Sequence, residues 1–354
     1  MSFSQTLGGP SRCGRVLGPS LDKIIKNAAW RKHSHIVSSC KSTLEKLDTL
    51  SDTGLSDPKS HVLGISSSDA DFVLAPILLA LDSNYVKVAE PALECTFKLF
   101  SLGIVRGEID SKASNPILYK IVESVCKLGG IGDESVELAV LRVLLSAVRC
   151  PCVLIRGNCL IHVVRTCYNV YLGSLTGTNQ ACAKSVLVQI MLIVFTRAVE
   201  DSMDVSIKTV SVNELLEFTD KNLNEVQFIK SFISDVMNAS EGVPDLKLFQ
   251  PIMVRELQNG ETKWSKREQN EEVEEEEMKE GTESGSGVDS SKIREDGFHV
   301  FRNLCKLSMK FSTLENIDDQ VLLRGKTLSL ELLKVIMDNE GPIWRTNERQ
   351  FILY

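Results

Sequence analysis

The chain has 354 residues, 43% hydrophobic and 25% charged, which is ordinary for a globular protein of one large or two smaller domains. Its net charge of −7 lies in residues 261–296, where 13 Asp and Glu accompany 6 Lys and Arg, leaving 34 residues of each sign elsewhere. This balance excludes the basic surface of a nucleic-acid-binding protein and a polybasic membrane anchor. Aromatic residues make up only 6%, which favours packed helices over a β-sandwich.

The N-terminal part is predicted to contain an arm, two helices and a loop. Residues 1–18 begin with a polar, Gly-rich stretch and are expected to be a flexible arm. Apolar spacing predicts helices at 20–29 and 32–50. The Ser-, Asp- and Gly-rich residues 52–68 are typical of a loop.

Short polar residues and prolines mark the starts of the next helices. Asp69 or Asp71 is expected to cap one helix and Asp133 another, because a carboxylate accepts hydrogen bonds from the first free amides. Pro116 is expected at a first helical position, and Pro91 in a first turn or at a kink.

Apolar residues then recur at helical spacing, as expected for helices that each bury one face. The stripes are Leu93, Phe97 and Phe100; Leu118, Ile121, Val125 and Leu128; Leu141, Leu144, Leu145 and Val148; Leu160, Val164, Cys167 and Tyr171; and Leu187, Ile190, Met191, Val194 and Ala198. Two further helices are predicted at 212–220 and 224–237. No alternation typical of strands accompanies them.

Many helices joined by short turns predict an all-α fold, an armadillo- or HEAT-like helical solenoid over residues 19–240. Residues 241–296 are expected to be a disordered acidic linker, because like charges with Gly and Ser bury too little apolar surface to offset chain entropy. A solvated helix at 271–280 is the alternative for part of it. We expect this acidic run to be a spacer, with a docking tract for a basic partner as the alternative. Helical patterning resumes over residues 297–354.

Two stretches carry a resemblance to a known family. The first is Arg165-Thr-Cys-Tyr-Asn-Val-Tyr-Leu172, followed by Asn179-Gln180, and the second is Phe301-Arg-Asn-Leu-Cys-Lys-Leu-Ser-Met309, followed by Gly341-Pro-Ile-Trp-Arg-Thr-Asn347. They resemble the large Sec7-type guanine nucleotide-exchange factors for ARF GTPases, the brefeldin A-inhibited class, and especially the plant members. The first is similar to the end of the dimerisation and cyclophilin-binding region, and the second to the start of the homology region upstream of Sec7.

The resemblance implies a regulatory role in vesicle-mediated transport. It implies an armadillo-like fold, a homodimer, and contacts with the Sec7 domain of the full-length protein, with ARF-family small GTPases and with a cyclophilin. The expected location is the cytosol, with peripheral association at trans-Golgi or endosomal membranes through partners. The 354 residues lack the Sec7 domain with its magnesium-displacing glutamate, so no exchange activity and no cofactor is expected in them.

Ten cysteines and no secretory signal at the N-terminus predict a reducing compartment and free thiols. Cys150, Cys152, Cys159, His162 and Cys167 come nearest to a metal-ligand set. They lack the paired cysteine knuckles of a zinc site, so ordinary core packing is the preferred interpretation. No catalytic or metal site is predicted.

Arg165, Tyr168, Asn169 and Asn179 are the candidate partner-binding residues. The alternative, which we favour, is a structural role, because such side chains often satisfy backbone groups near helix ends.

Two interpretations of the whole chain remain open. One is the regulatory N-terminal region of a longer exchange factor, and the other is a free-standing helical-repeat adaptor without exchange activity. The apolar residues 351–354 are an unusual natural terminus, which favours a truncated sequence.

Overall fold

A computed structural model describes residues 7–28, 31–51, 57, 60–111, 116–215, 223–239, 292–310 and 320–339. Within these ranges the chain has twelve helices and two short strands. The helices are α1 (Arg12–Asn27), α2 (Ser34–Thr49), α3 (Ser67–Leu81), α4 (Val86–Ser101), α5 (Pro116–Leu128), α6 (Glu134–Arg149), α7 (Gly157–Gly173), α8 (Gly177–Glu200), α9 (Val212–Leu215), α10 (Leu223–Met237), α11 (Lys292–Lys310) and α12 (Gln320–Asp338). The strands are β1 (Gly107–Ile109) and β2 (Val153–Ile155).

The helices form the two layers of a solenoid. Helices α1, α4, α6 and α8 follow one another in one layer, and α2, α3, α5 and α7 in the other. Each helix also packs on its hairpin partner in the opposite layer, as α1 does on α2 and α7 on α8. The hairpin α11–α12 packs on α7 and α8, and α10 packs on α6 and α8. The prediction of an all-α helical solenoid is therefore confirmed.

Helix α8 is the most deeply buried element. Within the described part of the chain, α8 alone is long and apolar enough to cross a membrane by length and composition, but 78% of its apolar window is buried inside the fold. Its buried polar residue Gln189 bonds a neighbouring segment, donating to the carbonyl of Lys208 (3.0 Å) and accepting from the amide of Val210 (2.8 Å). Residues 201–211 are thereby held against α8, which has the burial of a core helix.

The two strands were not predicted from the sequence. They pair in parallel, with Gly107 opposite Val153 and Ile109 opposite Ile155. Three-residue strands are too short to show the alternation that reveals a strand in a sequence. The pair joins the segment before α5 to the segment before α7.

The predicted helix starts are partly correct. Asp133 caps α6, accepting from the amides of Ser135 (3.0 Å) and Val136 (3.1 Å), and α5 begins at Pro116. The capping prediction for Asp69 and Asp71 is wrong, because α3 begins at Ser67 and includes both aspartates.

Pro91 lies inside α4 rather than in its first turn. A proline has no amide hydrogen, so the carbonyl four residues earlier loses its helical donor. That carbonyl belongs to Lys87, and the side-chain amide of Asn27 donates to it (2.7 Å). A contact between α1 and α4 thus replaces the hydrogen bond that proline removes.

The predicted arm at 1–18 is too long. Helix α1 already begins at Arg12, and Ser11 caps it by accepting from the amide of Gly14 (3.0 Å). Residues 7–9 lie directly on this helix: a Cβ added to Gly18 would come within 2.3 Å of the carbonyl oxygen of Leu7. Glycine permits this approach, which the composition of the segment did not indicate.

The predicted linker at 241–296 ends too late, because α11 begins at Lys292. Its acidic run at 271–280 and the C-terminal residues 340–354 lie outside the described residues, as does the part of the predicted helix 212–220 beyond residue 215. The last helix buries Leu328, Leu332 and Ile336 against the rest of the fold.

We expect Gly18→Ala to destabilise the fold by about 1–3 kcal/mol, because the added methyl group collides with backbone. Gly173→Ala is the matched control, since it lies in α7 with nothing within 4 Å of an added Cβ. The control should be neutral or gain up to about 1 kcal/mol from helix propensity. Urea unfolding measures both. Equal midpoints for the two variants would contradict the packing of residues 7–9 on α1.

Candidate functional site

The most elaborate polar contacts in the described residues lie where α11 and α12 dock on the preceding solenoid. A small apolar cluster brings Ile293 together with Leu154, Ala198 and Met203. Gly297 of α11 allows close approach to α8, because a Cβ there would lie 3.2 Å from the Cβ of Ala198. We call the contact of α11 and α12 with α7 and α8 the junction.

Arg156 is the centre of the polar network at the junction. It stands between β2 and α7, and its side chain is 13% exposed. Its Nε donates to Oδ2 of Asp296 (3.0 Å), its Nη2 to Oε2 of Glu295 (3.1 Å) and its Nη1 to Oε1 of Glu108 (3.3 Å). One arginine therefore ties β1 to the first turn of α11.

Asp296 contacts the start of α7 as well. Its Oδ1 accepts a hydrogen bond from the amide of Gly157, the first residue of α7 (3.0 Å). An amide at a helix N-terminus has no partner within its own helix, and a carboxylate there also interacts favourably with the helix dipole. The carboxylate thus serves as a cap supplied by a segment that lies 139 residues away.

The network offsets part of a desolvation cost. Burial raises the pKa of Asp296, although the Gly157 amide and Arg156 both oppose that shift. Burial would lower the pKa of Arg156, but Asp296 and Glu108 more than reverse this, so its pKa is raised. Both groups are therefore costly to bury alone, and removal of either partner leaves an uncompensated charge.

Tyr168 binds α12. Its hydroxyl donates to the carbonyl of Gly325 (2.6 Å) and lies 2.9 Å from Oγ of Ser329. Tyr168 is 4% exposed and Ser329 is fully buried. Burial raises the pKa of Tyr168 and keeps its phenol protonated as a donor.

Two further contacts secure α12. Arg324 donates through Nη2 to the carbonyl of Tyr171 (2.8 Å) and lies over its ring, 5.1 Å from the centroid. This arginine satisfies a carbonyl in the last turn of α7, where cations are favoured. Lys184 of α8 pairs with Glu331 of α12 at 2.8 Å.

The four sequence-predicted residues do not form one site. Tyr168 reaches the junction, whereas Asn179 is 2% exposed and donates to Oε2 of Glu137 (2.7 Å), linking α8 to α6. Arg165 and Asn169 are exposed one turn apart on α7, and their side chains make no hydrogen bond or ion pair with a described residue. Their candidacy as partner-binding residues stays a prediction.

The cysteine-rich segment forms no ligand set. Among the residues that the structure describes, no group of three or more His, Cys, Asp and Glu is placed to hold a metal ion. Burial raises the pKa of Cys159 and of Cys167, and it lowers the pKa of His162. Uncharged thiols in an apolar environment are typical of core packing.

Sequence reasoning missed Arg156 and Asp296. Asp296 falls at the end of an acidic stretch, where one carboxylate resembles its neighbours, and Arg156 has no periodic pattern around it. The start of an apolar stripe at Ile293 was the signal that could have placed Asp296 on a helix.

Comparisons with known proteins identify both sides of the junction. A family model described as the dimerisation and cyclophilin-binding domain of the Mon2/Sec7/BIG1-like proteins matches residues 11–202. A second, described as the HUS domain of the same proteins, matches residues 293–353. The junction is therefore the contact between the two matched regions.

Curated relatives agree with the models. The chain is 59% identical over 354 residues to brefeldin A-inhibited guanine nucleotide-exchange protein 1 of Arabidopsis thaliana, covering 99% of this chain and 19% of the relative. It is 58% identical to protein 4 of that plant, covering 98% and 20%. Protein 1 of Homo sapiens is 28% identical over 195 residues, covering 50% and 10%. The chain thus spans about a fifth of the length of the plant relatives.

Arg156→Ala should loosen the junction by about 3 kcal/mol, because it leaves Asp296 buried without its cation. Hydrogen exchange of the α11 amides should accelerate roughly 100-fold. Lys98→Ala is the control, because it breaks the exposed pair of Lys98 with Glu94 and should change stability by no more than about 0.5 kcal/mol. Indistinguishable α11 exchange in the two variants would show that the network does not hold the junction.

Tyr168→Phe should destabilise α12 by about 1 kcal/mol, the usual net value of a buried hydrogen bond. Tyr119→Phe on α5 is the control, since the Tyr119 hydroxyl bonds no described residue, and it should stay within about 0.5 kcal/mol of the parent. Chemical denaturation combined with exchange of the α12 amides measures both. Equal effects would exclude the contact of Tyr168 with α12.

Proposed function

Because the chain belongs to the Mon2/Sec7/BIG1-like family, we propose that it is the regulatory and self-association region of an ARF guanine nucleotide-exchange factor in vesicle-mediated transport. The observation that carries this proposal is the match of the dimerisation and cyclophilin-binding model to residues 11–202, with the HUS match at 293–353 on the hairpin docked beside it. The curated relatives bear the name of guanine nucleotide-exchange proteins.

The mechanism we propose is positioning. The solenoid presents helix faces to partners, and the junction holds α11–α12 in one orientation through charged and buried contacts. A domain that follows this hairpin in a longer protein would inherit that orientation. Nucleotide exchange itself is assigned to a Sec7 domain outside these 354 residues.

The partners follow from the family. We propose a homodimer, contacts with the Sec7 domain of the longer protein and with ARF-family small GTPases, and binding of a cyclophilin. The matched model is described as a dimerisation and cyclophilin-binding domain, which supports the first and last of these. We place the protein in the cytosol, associated peripherally with trans-Golgi or endosomal membranes through its partners.

Self-association is tested on the intact chain by light scattering across a dilution series. The expected result is twice the monomer mass at micromolar concentration, with dissociation on dilution. A monomer throughout the high micromolar range would contradict the proposed homodimer.

The division between regulation and catalysis is tested with a panel of ARF-type GTPases. The chain should capture at least one of them in a pull-down and should leave its spontaneous nucleotide release unchanged. Accelerated release would place exchange activity within these residues, against the proposal. A chain that neither dimerises nor captures any member would favour a free-standing adaptor.

A further inference from the structure

The turn between α1 and α2 contains an exposed serine that follows two basic residues. Its sequence is Arg31-Lys32-His33-Ser34, and Ser34 is the first residue of α2. Arg31, Lys32 and Ser34 are exposed, whereas His33 is only 4% exposed. The two basic side chains and the hydroxyl therefore face solvent together, and only the residue directly before the serine is buried.

Contacts of neighbouring residues fix this turn against the start of α4. The ring of His33 packs on Tyr85, the residue before α4, with 5.0 Å between the ring centroids. The side-chain amide of Asn27, the last residue of α1, donates to the carbonyl of Lys87 in the first turn of α4 (2.7 Å). The exposed basic residues thus lie between two residues that contact the same part of the fold.

Arg31 and Lys32 carry charges that the fold does not neutralise. Their side chains make no hydrogen bond or ion pair with a described residue. Burial lowers the pKa of His33, and the neighbouring positive charges of Lys32 and His35 lower it further. This edge of the solenoid therefore favours the addition of an anionic group.

The exposed residues match the pattern that basophilic Ser/Thr protein kinases recognise. Such a kinase uses acidic side chains in its substrate groove to pair with Arg or Lys three and two residues before the acceptor. Arg31 and Lys32 occupy these two positions relative to Ser34. The buried His33 occupies the position between them and the acceptor, which such kinases discriminate least.

The position of Ser34 at a helix start also favours access. The first amides of a helix have no partner within it, and helix ends open at low cost. The first backbone hydrogen bond at the start of α2 joins the amide of Val37 to the carbonyl of His33 (3.0 Å). Few backbone bonds therefore break when the first turn opens to enter a kinase groove.

We propose that Ser34 is a phosphorylation site for a protein kinase that selects basic residues before its acceptor. The Ser34 hydroxyl oxygen attacks the γ-phosphorus of ATP bound to the kinase. The bond from that phosphorus to the oxygen bridging the β- and γ-phosphates breaks, and ADP leaves with the bridging oxygen. The hydroxyl proton passes to the catalytic carboxylate of the kinase and then to water. The new phosphoryl group carries about two negative charges at neutral pH.

The phosphate would stabilise the start of α2 and neutralise the basic edge. This helix has no acidic residue in its first turn and no side-chain cap. A negative group there interacts favourably with the helix dipole and accepts hydrogen bonds from the first amides. Pairing with Arg31 and Lys32 would at the same time remove the excess positive charge of this edge.

Phosphorylation of the intact, folded chain provides the test, with the catalytic subunit of cyclic-AMP-dependent protein kinase, ATP and Mg²⁺. Mass spectrometry should find one added phosphoryl group on the peptide that contains Ser34, and Ser34→Ala should abolish it. Ser42→Ala is the matched control and should leave it unchanged, because Ser42 is exposed on the same helix without a basic residue three or two positions before it. An unmodified Ser34, or one that is modified only after the chain is denatured, overturns the proposal.

Recognition by the basic residues is tested with the Arg31→Gln, Lys32→Gln double variant. Its rate of phosphorylation at Ser34 should fall at least about tenfold, because two charge-assisted contacts with the kinase are lost. Both side chains are exposed, so their replacement should leave the fold intact. An unchanged rate would overturn the assignment of Arg31 and Lys32 as the residues that direct the kinase.

Hydrogen exchange tests the effect of the phosphate on the fold. In the phosphorylated chain, amides in the first turn of α2 should exchange about two- to fivefold more slowly than in the unmodified chain, because the added charge stabilises the helix start. The amides of α7 serve as the internal control and should exchange at the same rate in both chains. Equal or faster exchange at the start of α2 would overturn the stabilising role of the phosphate.

Discussion

The burial of helix α8 on nearly every side is the constraint on which the rest of the architecture depends. An amphipathic helix needs one covered face, but a helix that is apolar all round must be enclosed. Helices α6, α7, α10, α11 and α12 all pack on α8. This requirement gathers residues that are distant in the sequence around one axis, and it makes the last hairpin part of the same core as the preceding solenoid.

Hydrogen bonds from the few buried polar side chains of α8 fix how the neighbouring segments pack around it. Gln189 satisfies both a carbonyl and an amide of the neighbouring segment. Arg197, 5% exposed, caps the end of α6, and burial, together with the nearby positive charge of Arg149, lowers its pKa to about 10. A buried polar group is tolerated only where hydrogen bonds replace its hydration, so each of these residues accepts one arrangement of its neighbours. Apolar packing alone would allow more than one register.

At the junction, the buried polar groups that must be paired are charged side chains. Asp296 and Arg156 are each expensive to bury, and each becomes acceptable only when the other is in place. The aspartate also supplies the first amide of α7 with an acceptor. Correct docking of α11 therefore completes the start of a helix in the preceding region. Because each region completes a contact in the other, the two matched regions are coupled. This coupling supports a role in which one region positions the other.

The sequence by itself determined the class of fold, because helical periodicity and caps are local: the α6 stripe and the Asp133 cap need no information from distant residues. The motifs around Tyr168 and Phe301 likewise sufficed for the family. Only the tertiary structure decided which residues are in contact. It showed that Tyr168 bonds Gly325 and that Arg156 pairs with Asp296. It also showed that Asn27 bonds the carbonyl left without a helical donor by Pro91, and that α1 extends into the predicted arm. Each of these contacts depends on residues far apart in the sequence. A polar side chain can bond water while it is exposed, so its protein partner is decided only when folding buries it.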